Sequence, residues 1–274
     1  MRIGSVIGLG RRAAELLRDG GDAEVLAPLS ASIYIVVQDQ ILWLGGPDET
    51  LHPRAILLSD PPAIAGLAPG QTLRVPPSAV SPWCPEPPPT DTRPAAALRR
   101  GAAHLAASAA ALGRPEGFGA RLVGAPLAFP LAGADERADA LAAACADDAP
   151  ARATAAATAL LGLGAGLTPS GDDFVGGAFF ARAILARAGA SEPTAWRAAA
   201  ETVRAAANRS THPISAALLG DLLAGEGWAP LHDLARALAY DDAPAATGAA
   251  RRLVRLGHSS GWDLLAGFVA GAAR

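Results

Sequence analysis

The sequence predicts an α+β protein, with a small β-rich domain followed by an α-helical domain. Short runs of β-branched and aromatic residues occur in the first part of the chain, whereas Ala-rich stretches with helical periodicity fill it from Ala95 onward. A Pro-rich segment separates the two kinds of sequence. We therefore expect a β-rich domain over 1–80, a linker over 81–94 and an α-helical domain over 95–274.

Four short segments predict the strands of the first domain. The runs 33–37 and 41–44 are separated by the turn formers Gln38-Asp39-Gln40, which is typical of a hairpin. The segments 55–58 and 72–75 are also apolar and are bounded by Pro and Gly. These segments predict a small sheet.

The Pro-rich segment runs from Pro76 to Pro94 and contains eight prolines, including Pro87-Pro88-Pro89. Proline lacks the backbone N–H that helices and central strands need. We expect a semi-rigid linker or a wrapped arm here.

The remaining sequence is rich in Ala, which favours helix and lets neighbouring helices approach closely. Apolar periodicity and stop signals predict helices over these ranges: 95–112, 136–148, 151–162, 172–188, 194–207, 214–224, 230–239, 244–256 and 261–272.

The basic residues exclude some kinds of chemistry, because all 23 of them are Arg. A chain without Lys cannot form a Schiff base or supply the Lys of a phosphate-binding loop. Positive charge at a site must come from Arg, protonated His, a metal or helix N-termini. A net charge of −3 and a pI near 5.9 argue against a nucleic-acid surface.

We expect a soluble cytoplasmic protein. The N-terminus has no long apolar signal core, and the most apolar segment, Ala153–Leu167, is too short to span a bilayer. Cys84 and Cys145 lack metal-ligand spacing and are compatible with a reducing compartment.

The first candidate site is a Gly-rich loop that leads into an apolar helix, over 162–173. Gly164, Gly166 and Gly171 permit close backbone approach to a ligand, and the helix N-terminus favours an anion. The polar residues Thr168, Ser170, Asp172 and Asp173 crowd the same turn.

Two roles stay open for these polar residues. Asp172 and Asp173 have the chemistry to hold a divalent cation such as Mg²⁺, or to act as a base. Ser170 and Asp173 also have the spacing of a capping box, which needs two polar groups rather than four.

A second turn repeats this design about ninety residues later. Ser260-Gly261-Trp262-Asp263 matches Ser170-Gly171-Asp172-Asp173 in the pattern Ser-Gly-x-Asp. A glycine also follows each serine at the same distance, Gly177 after Ser170 and Gly267 after Ser260. We expect the two helices to lie side by side, with their N-termini converging on one pocket. Ser259, Ser260 and Asp263 are then substrate-binding candidates, and His258 is a candidate catalytic proton carrier.

A third candidate segment joins two further helices at 208–215. Arg209 has a guanidinium that binds carboxylate or phosphate, and Thr211 and Ser215 supply hydroxyls. His212 is either a second proton carrier or a helix cap. A match to the dinucleotide-binding fingerprint at Gly8-Leu9-Gly10-Arg11-Arg12-Ala13 is set aside, because no βαβ pattern follows it.

The segment Gly162-Leu163-Gly164-Ala165-Gly166-Leu167-Thr168-Pro169-Ser170-Gly171-Asp172-Asp173 closely resembles the signature of a bacterial family. That family includes a subunit of oxamate carbamoyltransferase, from anaerobic allantoin breakdown and purine degradation. The resemblance covers the whole chain, although Ala165 stands where many members have Pro.

The resemblance implies phosphorolysis of oxalurate to oxamate and carbamoyl phosphate, and implies partner subunits in a hetero-oligomer. Oxalurate and phosphate are both anions, and convergent helix N-termini and Arg209 would meet them in a chain without Lys. Two alternatives stay open: a non-catalytic binding or scaffold subunit of an acyl- or carbamoyl-transfer complex, and a stand-alone enzyme acting on another small carboxylate or amide. No cofactor is required by the sequence, and Mg²⁺ is one option.

Overall fold

The computed structural model of the chain describes residues 4–62, 64–86 and 92–273, with the side chains at 92 and 93 left out. The chain divides into two compact units, Met1–Glu86 and Pro87–Arg274. The first contains a sheet and the second is helical, so the predicted α+β class is confirmed.

The first unit is built on one six-stranded sheet with the order β1-β5-β4-β3-β2-β6. The elements are, in chain order, β1 (Val6–Leu9), α1 (Arg11–Leu17), β2 (Gly21–Pro28), β3 (Ile33–Val37), β4 (Gln40–Gly45), β5 (Ala55–Leu58) and β6 (Thr72–Val75). Neighbouring strands are antiparallel except β4 and β5. The predicted hairpin is present as β3 and β4, and the other two predicted strands are β5 and β6.

The sequence did not predict β1, α1 or β2. In β2, Ala23 and Val25 point to the core in alternation with exposed Asp22 and Glu24, but Asp, Glu and Ala are uncommon in strands. β1 and β2 are separated by three strands, so they do not form a dinucleotide-binding unit. The position after β1 requires a glycine, Gly10, because an added Cβ there would overlap the backbone of His52 and Pro53.

The first six residues of the predicted linker belong to the sheet unit. Trp83 bridges to Gly10, and its N–H donates to the Leu9 carbonyl at 2.7 Å. This backbone pairing places the segment against β1, which proline content alone does not indicate. Residues 87–91 of the linker lie outside the described residues.

The second unit contains helices at every position where periodicity predicted one. They are α2 (Thr92–Ala107), α3 (Asp135–Ala146), α4 (Pro150–Thr158), α5 (Ser170–Arg187), α6 (Pro193–Ser210), α7 (Pro213–Leu223), α8 (Ala229–Ala239), α9 (Ala243–Leu253) and α10 (Ser260–Ala272). Two 3-10 turns, Ala109–Leu112 and Gly117–Val123, follow α2. Predicted and observed ends differ by a few residues, because helix ends are weakly specified.

α5 and α10 form the centre of this unit. α5 is buried along nearly its whole length, and both helices contribute to the two helical core clusters. An added Cβ at Gly177 would overlap the Leu264 carbonyl oxygen, and one at Gly267 would overlap the Phe174 carbonyl oxygen. The glycines therefore permit the close side-by-side packing that the sequence predicted.

The order of helices recurs within the helical unit. The triplet α3, α4, α5 is followed about 90 residues later by the similar triplet α8, α9, α10. In each triplet an Asp with positive φ, Asp148 at 51° or Asp241 at 55°, lies two residues after the end of the first helix. A proline, Pro150 or Pro244, then lies in the first turn of the second helix. The third helices, α5 and α10, thus occupy equivalent positions in the two triplets.

Candidate functional site

The N-termini of α5 and α10 meet through two pairs of hydroxyl groups. Thr168 Oγ1 lies 3.2 Å from Ser260 Oγ, and Ser170 Oγ lies 3.2 Å from Ser259 Oγ. The two like turns are therefore neighbours, as the repeated Ser-Gly-x-Asp pattern predicted. That they enclose a ligand stays a prediction.

The glycines of the loop before α5 allow both positive φ angles and a close approach of two backbone segments. Gly162, Gly164 and Gly166 have φ of 74°, 123° and 90°, a region that side chains disfavour. At Gly171 an added Cβ would overlap the Leu160 carbonyl oxygen, so a close backbone approach requires glycine there. At Gly166 an added Cβ would find open space, so this part of the loop faces outward.

Asp172 points back into the protein and joins three segments. Its Oδ1 accepts a hydrogen bond from the Gly162 N–H at 2.8 Å, and its Oδ2 accepts from Ser215 Oγ at 2.6 Å and from Thr211 Oγ1. The side chain is 1% exposed. Asp172 therefore fixes the Gly-rich loop and the α6–α7 junction relative to α5, and Thr211 and Ser215 serve it as donors.

Asp173 and Asp263 form a pair of buried carboxyl groups whose oxygens are not all hydrogen-bonded within the described part of the chain. They are 4% and 0% exposed, and among the described residues one oxygen of each, Oδ2, is buried without a hydrogen-bond partner. Burial raises the pKa of Asp173 well above its ordinary value, and the nearby charge of Asp263 raises it further. A hydrogen bond from Ser260 opposes this shift.

Burial also raises the pKa of Asp263, to about 7. The Phe118 N–H donates to Asp263 Oδ1 at 2.6 Å, and Ser170 and Ser259 also hydrogen-bond the carboxylate, which limits the rise in pKa. The pKa in the folded state exceeds the ordinary 3.8, so the folded state holds the proton more tightly than the unfolded chain. Stability is therefore lost as the pH rises from about 4 to about 7.

The 3-10 turn Gly117–Val123 contributes to the site, and sequence reasoning did not identify it. Phe118 is fully buried, stacks on Phe174 with ring centroids 4.6 Å apart, and presents its N–H to Asp263. Added Cβ atoms at Gly117 and Gly119 would overlap Asp263 and Trp262. The Gly-Phe-Gly triplet was the available signal, because glycines around a lone aromatic residue indicate close packing.

The predicted cationic and imidazole groups lie outside this buried cluster. Arg209 and His258 are exposed, on the last turn of α6 and in the turn before α10. His212 caps α7, with its Nδ1 accepting from the Ile214 N–H at 3.2 Å. The capping alternative is therefore correct for His212.

The first turn of α5 offers fewer free amides to an anion than the sequence suggested. The Gly171 N–H donates to the Leu163 carbonyl at 2.8 Å, and those of Asp172 and Asp173 donate to the Pro169 carbonyl. Carboxyl groups of the protein itself already occupy the positive end of this helix.

Within the described ranges, no group of three or more His, Cys, Asp or Glu side chains is placed to hold a metal ion. None of the helices described combines the length and the apolar character that a bilayer crossing requires.

These features define a class of α+β protein in which two equivalent helices join their N-termini around buried carboxyl groups. The family model of oxamate carbamoyltransferase subunit AllH matches residues 160–272. This match supports the family resemblance over residues 160–272, which is less than half of the chain, and its extension to the rest of the chain stays a prediction. The matched segment includes both turns and the buried carboxyl groups of Asp172, Asp173 and Asp263. No curated protein and no solved structure matches the chain.

Proposed function

We propose that this protein is the subunit of an oxamate-type carbamoyltransferase that converts oxalurate and phosphate to oxamate and carbamoyl phosphate. The family match supports a subunit of oxamate carbamoyltransferase. The observation that carries the site assignment is the position of Asp173 and Asp263, two partly unsatisfied carboxyl groups within the matched segment. Other subunits of the complex are its partners.

The reaction exchanges one bond at the carbamoyl carbon. The C–N bond of oxalurate breaks and a C–O bond to phosphate forms, through a tetrahedral state that carries negative charge on oxygen. Phosphate gives up one proton, and the departing oxamate nitrogen gains one. The carbamoyl carbon is transferred without oxidation or reduction.

Asp263 has the properties of the proton carrier in this exchange. A pKa of about 7 allows a carboxyl group both to donate and to accept a proton near neutral pH. Burial raises the pKa of Asp173, which favours its protonated form and allows it to act as a donor beside Asp263. A protonated Asp173 also reduces the repulsion that two ionised carboxylates would exert on an anionic substrate.

The hydroxyls around the carboxyl pair supply further donors. Ser170, Ser259, Ser260 and Thr168 lie where the two turns meet, and such groups stabilise an oxyanion. Arg209 and His258 are exposed on adjoining segments, where the Arg209 guanidinium provides positive charge toward phosphate and oxalurate and the His258 imidazole is a further candidate proton carrier.

The experiment is a carbamoyl phosphate assay on the chain purified together with its partner subunits. Asp263→Asn and Asp173→Asn are compared with Asp147→Asn, an exposed carboxylate that pairs with Arg152. We expect the first two variants to assemble normally and to lose about 10²- to 10⁴-fold in rate, because general acid–base catalysis contributes that much. The control should retain the wild-type rate.

Failure of the wild-type complex to form carbamoyl phosphate from oxalurate and phosphate contradicts the proposed reaction. The scaffold alternative is favoured by the inward orientation of Asp172, whose hydrogen bonds all serve the fold. That alternative predicts unchanged rates in assembled Asp263→Asn and Asp173→Asn complexes. Activity of the chain without partners would instead identify a stand-alone enzyme.

A further inference from the structure

A cavity of about 510 Å³ lies between α5, α6 and α7, away from the carboxyl pair. Four arginines line it, and they are Arg182 and Arg187 from α5 and Arg197 and Arg204 from α6. Arg182 follows Asp172 by ten residues on α5, which corresponds to about 15 Å along the helix. The cavity is thus separate from the turns described above.

Arg182 belongs to the cavity wall. It is 1% exposed, and its guanidinium lies 4.5 Å from the centre of the Trp196 ring. It donates to the Cys145 carbonyl at 3.2 Å and contacts the Asp148 carboxylate and the Ser191 hydroxyl. Its charge is therefore compensated, although its buried Nε has no partner among the described residues.

Arg187 carries a charge that its hydrogen bonds do not neutralise. Its guanidinium donates to the carbonyls of Ala224 at 2.7 Å and Gly225 at 3.4 Å, at the end of α7. Both acceptors are uncharged. The positive charge of Arg187 also helps to lower the pKa of the partly buried His232, although burial lowers that pKa more.

Arg197 and Arg204 are exposed, and each has a neighbouring carboxylate that a ligand can replace. Arg204 pairs with Glu201, one turn earlier on α6, and both side chains are more than half exposed. Arg197 lies close enough to Glu192 to lower the pKa of that carboxyl, after the backbone hydrogen bonds that lower it more. Exposed ion pairs contribute little free energy, so a more strongly charged ligand can replace them.

The carboxylate of Glu201 also lines the cavity, and the rest of the wall is apolar. Phe179 and Trp196 pack edge to face, with ring centroids 5.7 Å apart, and small side chains from α5 and α6 complete the surface. A volume of about 510 Å³ falls in the range of cavities that hold small organic ligands. It exceeds what inorganic phosphate fills. The planar guanidinium of Arg binds phosphoryl oxygens through two parallel hydrogen bonds.

We propose that this cavity binds an organic phosphate of about nucleotide size. Arg187, Arg197 and Arg204 contact the phosphoryl group, and the apolar wall contacts the organic part. The proposal is independent of the carbamoyltransfer reaction, because the carboxyl pair lies elsewhere on α5.

The test is isothermal titration calorimetry on the full-length chain, with ATP, AMP, inorganic phosphate and citrate as separate titrants. The variant is Arg197→Gln combined with Arg204→Gln, which leaves the buried Arg182 and the α7-capping Arg187 in place. Arg251→Gln is the matched control, because Arg251 is an exposed arginine on α9 that does not line the cavity. Far-UV circular dichroism checks that both fold.

We expect ATP or AMP to bind saturably, and to bind at least about tenfold more weakly to the double variant, since each lost charged hydrogen bond is worth that much. The control should stay within about twofold of the wild type. Absence of saturable nucleotide binding at millimolar concentration overturns the proposal. So does equal affinity of the wild type for ATP and inorganic phosphate, tighter binding of citrate, or unchanged affinity in the double variant.

Discussion

Asp172 and Asp173 are adjacent in sequence and both are buried, but their carboxyl groups have different hydrogen-bond partners. Successive residues of a helix point about 100° apart, so the two carboxyl groups face different neighbours. Asp172 faces the α6–α7 junction and accepts three hydrogen bonds, whereas Asp173 faces α10 and keeps one oxygen without a partner among the described residues. One carboxyl group therefore holds the fold, and the other is free to take part in chemistry.

This difference predicts effects of different size for the same substitution at the two positions. Asp172→Asn should lower the free energy of unfolding by about 2–4 kcal/mol, because an amide cannot accept from all three donors. Asp173→Asn should change it by about 1 kcal/mol or less, because burial raises the pKa of Asp173 and so favours a neutral group at this position. Urea unfolding followed by far-UV circular dichroism measures both. A larger loss in Asp173→Asn than in Asp172→Asn would contradict these assignments.

At the scale of elements, the site depends on how closely α5 and α10 approach. The glycines at equivalent positions, Gly177 and Gly267, each lie against a backbone carbonyl of the other helix. This arrangement keeps the N-termini in register, so that Ser170 meets Ser259 and Thr168 meets Ser260. Any side chain at these glycines would separate the helices and, with them, the two turns.

We therefore expect Gly177→Ala or Gly267→Ala to destabilise the helical unit by about 2–3 kcal/mol, as overpacking of a core does. Gly248→Ala is the matched control, because Gly248 lies in α9 and an added Cβ would be 3.8 Å from its nearest neighbour. This control should gain about 0.5–1 kcal/mol from better helix propensity. Thermal unfolding compares the three variants, and equal stability of Gly267→Ala and Gly248→Ala would show that the helices are not in close contact.

Across the whole chain, local sequence patterns predicted most of the strands and helices. Some features that depend on contacts between distant residues were not predicted. Ala-rich periodicity predicted the helices, and the repeated Ser-Gly-x-Asp turn predicted that α5 and α10 are neighbours. The contribution of Phe118 was missed, because its N–H reaches Asp263 across a large sequence separation. The substrate-binding role predicted for Asp263 stays a prediction, and its complete burial is a feature that the sequence does not show. β2 was missed because its residue types are poor indicators of a strand.

The assignment of a shared carboxyl site to the two helical triplets depends on how Asp173 and Asp263 titrate. The most direct measurement is ¹³C NMR of the side-chain carboxyl groups of the full-length protein, titrated with pH and assigned with Asp263→Asn and Asp173→Asn. We predict that Asp263 titrates near pH 7 and that Asp173 stays protonated well above its ordinary pKa. Titration of both groups near pH 4, the value of an exposed Asp, would contradict the account.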